Sequence, residues 1–343
     1  MASTRKSIAA ERQVVLVGFE GMQLLDLSGP AAVFDAATRV LGASGGGPGY
    51  ELLMATPGGE DVRSSCGMRI GADVGLAAID PAAVDTLLVA GGRGRTVADG
   101  DPRLVGELPR IAAGTRRVCS VCGGAFLLAA AGLLEGRRVT THWAGCEDLA
   151  RRYPGLTVEP DRIYLRDGDV FTSAGVTAGI DLALALVEED HGPEVARTVA
   201  RWLVVFLQRP GGQSQFSERL EAPVPPGSPL RPLVDRIVAD PAGDHRVNVL
   251  AEEAGLSERQ LSRVFARQAK TTPARFVERV RVEAARDLLE AGALPVEAVA
   301  ERCGFGSAET MRRAFLRVLG VGPGEYRARF ASSGELSLAA AVA

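Results

Sequence analysis

Hydrophobic and polar positions change period along this chain. From residue 13 to 207, short apolar runs alternate with amphipathic stretches of helical spacing; beyond residue 230 only the helical spacing remains. Val14–Phe19 is almost wholly apolar, as a strand buried on both faces must be. Similar runs predict strands at Tyr50–Ala55, Asp85–Ala90, Val118–Cys122, Val139–Thr141 and Val170–Thr172, with a hairpin over Arg63–Ile70. The spacing predicts helices over Ala31–Leu41, entered through Asp26-Leu-Ser-Gly-Pro30, and over Pro102–Ala113, Trp143–Tyr153, Gly179–Glu189 and Pro193–Leu207. Such alternation predicts an α/β domain, a flavodoxin-like parallel sheet sandwiched between helices.

The Pro- and Gly-rich stretch 208–229 breaks both periods and is expected to be a linker between a domain at 13–207 and one at 230–330. Residues 1–12 carry Arg5 and Lys6 with no apolar run behind them, so a disordered leader is expected and no signal peptide. The Ala-rich stretch 331–343 is expected to be a flexible tail.

The second domain holds the same pattern twice, about fifty residues apart. In the first unit Val249, Leu250 and Ala254 form an apolar stripe, Gly255 ends the helix, and Ser257 caps another whose inner face is Leu261, Val264 and Phe265. In the second, Val296, Val299 and Ala300 face inward, Gly304 turns the chain, and Ser307 caps a helix buried through Met311 and Phe315. Between them Phe276, Val280, Ala284 and Leu288 recur as a buried stripe from Pro273 to about Ala291. The domain is therefore expected to be all-α, with two helix-turn-helix units. Arg259, Ser262 and Arg263 lie on the outer face of the first capped helix, and Ala308, Glu309, Arg312 and Arg313 on that of the second. A helix of this kind enters the major groove of double-stranded DNA, where arginine reads guanine edges and flanking cations hold phosphate.

Charge agrees with that placement. The chain has 39 Lys and Arg against 42 Asp and Glu, but Ser228–Phe330 holds 17 against 14, so the remainder carries 22 against 28. The basic surplus lies in the helical domain. Five cysteines in 343 residues form no secreted disulfide framework, and three scattered histidines offer no metal cluster. The longest uncharged run, Val118–Leu134, is too short and too rich in glycine to span a membrane. A cytoplasmic protein with no membrane partner and no cofactor is expected.

The sharpest chemistry in the first domain is Val118-Cys-Ser-Val-Cys122-Gly-Gly-Ala-Phe126. A buried strand that turns into a helix through Cys-Gly-Gly places Cys122 at a nucleophile elbow. Amides at the helix start favour thiolate, so a depressed pKa is expected there. Cys119 is expected to lie back in the strand, which leaves the Cys-x-x-Cys without redox meaning. Arg93 and Arg95, after Gly91-Gly92, are read as exposed loop arginines, and His191 and His245 as solvent-facing.

Two resemblances follow from these motifs. Leu250-Ala-Glu-Glu-Ala-Gly-Leu-Ser257, Phe265, Thr272-Pro273, Arg281-Val-Glu-Ala-Ala-Arg-Asp-Leu-Leu289, Val299-Ala-Glu-Arg-Cys-Gly-Phe305 and Gly322-Pro-Gly-Glu-Tyr-Arg327 together resemble the AraC/XylS DNA-binding domain. By that resemblance, the outer-face residues just named contact bases and phosphates. The Cys122 stretch, with Ala131-Gly-Leu-Leu-Glu-Gly-Arg-Arg-Val-Thr-Thr-His-Trp143, Asp26-Leu-Ser-Gly-Pro30 and Gly175-Val-Thr-Ala-Gly-Ile-Asp181, resembles the ThiJ/PfpI superfamily. This resemblance puts the reactive cysteine on Cys122, its acidic neighbour on Asp26, a histidine of some members on His142, and the facing amides on Gly91 and Gly92. Hydrolytic members commonly place a histidine directly after the cysteine; here that residue is Gly123.

The two domains in this order resemble the GlxA group of bacterial transcriptional regulators. The resemblance implies a dimeric regulator whose first domain senses a small molecule, expected to be a small nitrogen compound, in a pocket of Asp26, Gly91, Gly92, Cys122, Gly123 and His142. A cysteine hydrolase or isonitrile-hydratase-like lyase fused to a DNA-binding domain is the alternative.

Overall fold

In the computed structural model the described residues are 11–45, 47–207, 211–213, 228, 230–269, 271–292 and 294–330. Residues 1–10 of the expected 1–12 leader, most of the 208–229 stretch and the 331–343 tail lie outside them, while Arg12 of that leader begins the first strand. The chain divides into two compact units, Met1–Arg209 and Pro210–Ala343.

In the first unit seven strands form one sheet: β1 (Arg12–Val17), β2 (Tyr50–Thr56), β3 (Val74–Gly75), β4 (Val84–Val89), β5 (Arg117–Val121), β6 (Tyr164–Asp167) and β7 (Val170–Ser173). Their order is β6-β7-β5-β4-β1-β2-β3, parallel except where β6 pairs antiparallel with β7. The expected parallel sheet thus carries one antiparallel strand at an edge, a common finish for doubly wound sheets. Val14, Val15, Val17, Leu87, Leu88 and Val89 are fully or nearly fully buried, because both faces of the central strands are covered.

One covering layer is α1 (Leu24–Ser44), α3 (Ala178–His191) and α4 (Pro193–Trp202), which pack on one another. The other includes α2 (Gly124–Ala130) and short helices at Pro102–Val105 and Leu108–Ala112. Three helix expectations change. Asp26 to Pro30 lie inside α1, because burial of Asp26, Leu27, Gly29 and Pro30 outweighs one missing backbone donor. The 102–113 helix is broken at Gly106, and α4 stops at Trp202. The amino edge of the sheet is closed by ion pairs: Asp190 accepts from Arg117 (2.6 Å), Arg116 (2.8 Å) and the Tyr50 hydroxyl (2.8 Å). His191 packs edge-on against Tyr50, and His245 is buried with its Nε2 2.6 Å from the Asp240 carbonyl, so neither histidine is the solvent-facing residue expected.

The second unit holds α5 (Arg231–Ala239), α6 (Val247–Glu253), α7 (Glu258–Gln268), α8 (Pro273–Glu290), α9 (Val296–Arg302), α10 (Ala308–Leu319) and α11 (Pro323–Phe330). It has two cores. The first buries Leu233, Ile237, Leu250, Leu261 and Phe265; the second buries Val299, Met311, Phe315, Leu319 and Tyr326. The α8 helix belongs to both, giving Phe276, Val277 and Val280 to the first core and Val282, Ala285 and Leu289 to the second. The stripe read from sequence therefore rotates along α8, and Ala284 and Leu288 end half-buried. A single rigid helix shared in this way fixes one helix-turn-helix against the other.

Candidate functional site

The site of the first unit forms where β1, β4, β5 and β7 end. The chain runs outward from β1 to β3 and returns to β4 on the other side of β1, so the strand order reverses there, where open α/β sheets bind ligands. Cys122 follows β5 with φ 55°, a left-handed backbone that residues other than glycine rarely adopt. Val176, after β7, has φ 53°, more costly still for a β-branched residue.

Both turns are held by buried polar contacts. Asp26, fully buried in the first turn of α1, accepts hydrogen bonds from the amides of Gly91 (2.9 Å) and Val176 (2.8 Å), one on each carboxylate oxygen. The Thr141 hydroxyl donates to the Cys122 carbonyl at 2.6 Å, and the Cys122 amide donates to the Ser173 carbonyl at 3.1 Å. Glycine is required beside the elbow: a Cβ on Gly91 would lie 2.2 Å from the Gly123 nitrogen, and one on Gly175, at φ +101°, would lie 2.2 Å from the Cys122 Cβ.

A cavity of about 420 Å³ opens over the elbow. Cys122, Gly92, Gly123 and His142 line it, together with Arg95 and Phe126. Asp26 and Gly91 stand behind it, joined to each other. Arg95, expected in a loop, begins a short helix, Arg95–Ala98, and its guanidinium lies 3.7 Å above the centre of the Phe126 ring. No local sequence signal joins two residues so far apart along the chain.

The electrostatics correct one expectation. Burial pushes the Cys122 thiol up to about 12, the nearby Asp26 charge adds to this, and the Gly123 amide and Arg95 oppose it only in part. The depressed pKa expected at a helix start is thus reversed in direction, because α2 is short and the sulfur is desolvated. Burial also raises Asp26 to about 6, against the lowering effect of its two amide partners. His142 is shifted down by burial, and its Nδ1 accepts from the Ala144 amide at 3.3 Å. Among the described residues no hydrogen bond joins His142 or Asp26 to the Cys122 sulfur, and no group of acidic, His and Cys side chains could hold a metal ion.

The second unit presents two candidate faces for nucleic acid. Ser257 caps α7 in a capping box with Gln260, and Ser307 caps α10 by accepting from the Thr310 amide at 3.1 Å. Gly255 and Gly304, at φ +62° and +75°, make the turns that precede these caps. Arg259, Ser262 and Arg263 are exposed on α7, and neither arginine has a hydrogen-bond or ion-pair partner among the described residues. On α10 Glu309, Arg312 and Arg313 are exposed while Ala308 is half-buried. Glu309 accepts from Arg312 at 2.7 and 2.9 Å and lies 3.5 Å from Arg313. Among the described residues the α7 cations have no partner, and those of α10 are already partnered.

A doubly wound sheet with a cysteine elbow, joined in one chain to paired and capped helix-turn-helix units, defines a DNA-binding protein that carries a small-molecule fold. The DJ-1/PfpI family matches residues 12–189 and the helix-turn-helix domain family matches residues 250–329. The chain is 34% identical over 265 residues to the HTH-type transcriptional regulator Rv1931c of Mycobacterium tuberculosis, covering 72% of this chain and 96% of that one. It is 30% identical over 305 residues to the HTH-type transcriptional regulator GlxA of Rhizobium meliloti, covering 87% and 92%. A 187-residue match at 35% identity to the isonitrile hydratase of Pseudomonas putida covers 54% of this chain and 75% of the hydratase. The crystal structure of a ThiJ/PfpI family protein from Pseudomonas syringae shares the fold, at TM-score 0.51 and 24% identity over 67% of this chain and 86% of that one. The chain belongs to the DJ-1/PfpI family, in the branch of DNA-binding transcriptional regulators that add an AraC-type helix-turn-helix domain.

Proposed function

We propose that this regulator senses a small molecule in the cavity over Cys122 and carries out no turnover. On this reading residues 13–207 are the sensor, 208–229 the linker, 230–330 the DNA reader, and the flanking leader and tail serve neither role. The observation that carries the reading is the elbow itself: a thiol whose pKa burial pushes up to about 12, with no base hydrogen-bonded to it among the described residues, beside a cavity of metabolite size. A nucleophile needs a base within about 3 Å of the proton it takes. Asp26 ties two loops together instead. The protein is proposed to act in the cytoplasm as a homodimer, since paired half-sites raise affinity through effective concentration. Gly92, Cys122, Gly123 and His142 are the proposed ligand contacts, with Asp26 and Gly91 shaping the pocket from behind. Arg259, Ser262 and Arg263 on α7, and Glu309, Arg312 and Arg313 beside Ala308 on α10, are the proposed DNA contacts.

The alternative, a cysteine-dependent hydrolase or lyase, draws on the hydratase likeness and on the Asp26 carboxyl near the thiol. Cys122→Ser separates the two. The sensing reading expects the variant to bind a duplex selected from a random pool as wild type does while its response to small nitrogen metabolites is lost. Turnover of any such compound by wild type, abolished in Cys122→Ser, would establish the enzyme instead.

A further inference from the structure

Arg95 is a cation short of acceptors. Its guanidinium stacks on Phe126 and donates no hydrogen bond to protein among the described residues. Nη1 is buried and unpartnered, and the one ion-pair contact, Nη2 to Asp148, is long at 3.8 Å. Asp148 is in closer contact with Arg151, so its charge is shared. The Nη1 donors, buried without an acceptor among the described residues, are costly to leave unpaired. A charge-assisted pair with an entering anion would remove that cost.

The cavity has the matching polarity. Of its fourteen lining residues none is acidic, and Arg93 and Arg95 are basic. Arg93 is exposed and also without a partner among the described residues. Burial holds the Cys122 thiol in its neutral form, and the Asp26 carboxylate, whose charge is felt at Cys122, has both oxygens turned to backbone amides behind the elbow. Gln23 in the lining offers neutral hydrogen bonding for the rest of a small molecule.

We infer that the cavity takes its ligand through an anionic group, a carboxylate or a phosphate, bound by the Arg95 guanidinium with Arg93 at the rim. The inference deepens the sensing reading and rests on it for its biological meaning, but the anion site stands or falls separately. Arg95 is then the specificity-determining residue: it excludes neutral and cationic analogues of similar size, since they leave its donors unpaired. The Phe126 ring fixes the plane of the fork, which favours two-pronged recognition over a point contact.

The test uses the full chain and two simple probes, acetate and inorganic phosphate, titrated against chloride at matched ionic strength, with thermal stability of the first unit as the readout. Wild type should be stabilised saturably beyond chloride by at least one probe. A larger effect from acetate assigns a carboxylate ligand, and a larger effect from phosphate a phosphorylated one. Arg95→Gln should weaken that binding at least tenfold, while Arg95→Lys, which keeps the charge and loses the fork, should fall between. Melting of the unliganded variants separates misfolding from lost binding. No stabilisation of wild type beyond chloride, or full retention in a folded Arg95→Gln protein, overturns the inference. DNA affinity of the same proteins reports on the wider reading: if a neutral cavity ligand alters DNA binding, only the anion site is lost. If anions bind at Arg95 and no cavity ligand changes DNA affinity, the sensing reading is lost and the anion site remains.

Discussion

Cys122 and Asp26 meet at one corner of the sheet, and burial raises the pKa of both. The thiol stays protonated because the sulfur is desolvated and the neighbouring carboxylate repels a second negative charge. Cys66 is the contrast: it is exposed, and hydrogen bonding from Ser64 lowers its pKa. Iodoacetamide at pH 7.5 should therefore modify Cys66 well before Cys122, and the Cys122 rate should still be climbing at pH 10; mass spectrometry of the labelled peptides decides it, and a Cys122 rate that levels off near neutrality would restore the reactive thiolate. Asp26 supplies a second test. Its folded pKa, about 6, lies above the unfolded 3.8, so its contribution to stability is complete below about pH 4 and is lost as pH rises through 6. Two pKa units correspond to about 3 kcal/mol, an order-of-magnitude figure for this fully buried group. Urea titrations between pH 4 and 7 should show the unfolding free energy of the first unit falling with a steeper slope in wild type than in Asp26→Asn, and equal slopes would remove Asp26 as the source.

At the scale of elements, the elbow depends on what lies against it. Gly175→Ala places a methyl on the Cys122 Cβ at a backbone angle that alanine resists, and should cost the first unit more than 2 kcal/mol in urea unfolding, at the severe end of single substitutions. Wild-type stability in that variant would mean the two turns are free to move apart. Much of this architecture was legible in the chain. The buried strands declare themselves by uninterrupted apolar runs, and both recognition helices by a serine cap, a turn glycine and helical spacing. Where reading failed, long-range contacts had won. Asp26-Leu-Ser-Gly-Pro30 carries two helix breakers, yet burial carries α1 through them. Strand β6 is mostly polar and sits at an edge, where it pairs antiparallel with β7 through the turn at Gly168. Arg95 looked like an ordinary loop arginine because the Phe126 ring beneath it lies in another element.

The whole molecule divides its work between two units, one holding a cavity and the other a pair of cationic helices. Within the described residues no helix is long and apolar enough to cross a membrane. The two recognition helices are not equivalent. The arginines of α7 have no partner among the described residues, whereas Arg312 and Arg313 of α10 are paired with Glu309, pairs that a DNA contact through them would have to break. Arg263→Ala should therefore weaken binding to a selected duplex more than Arg313→Ala does, and Glu309→Gln should change which bases are preferred opposite α10. The most direct measurement of the central claim is the affinity of the full chain for that duplex, at fixed salt, in the Arg259→Ala and Arg263→Ala proteins. The account predicts a loss of about 1 to 3 kcal/mol for a base-reading arginine, together with relaxed sequence preference. Unchanged affinity and preference in both, with folding intact, would contradict it.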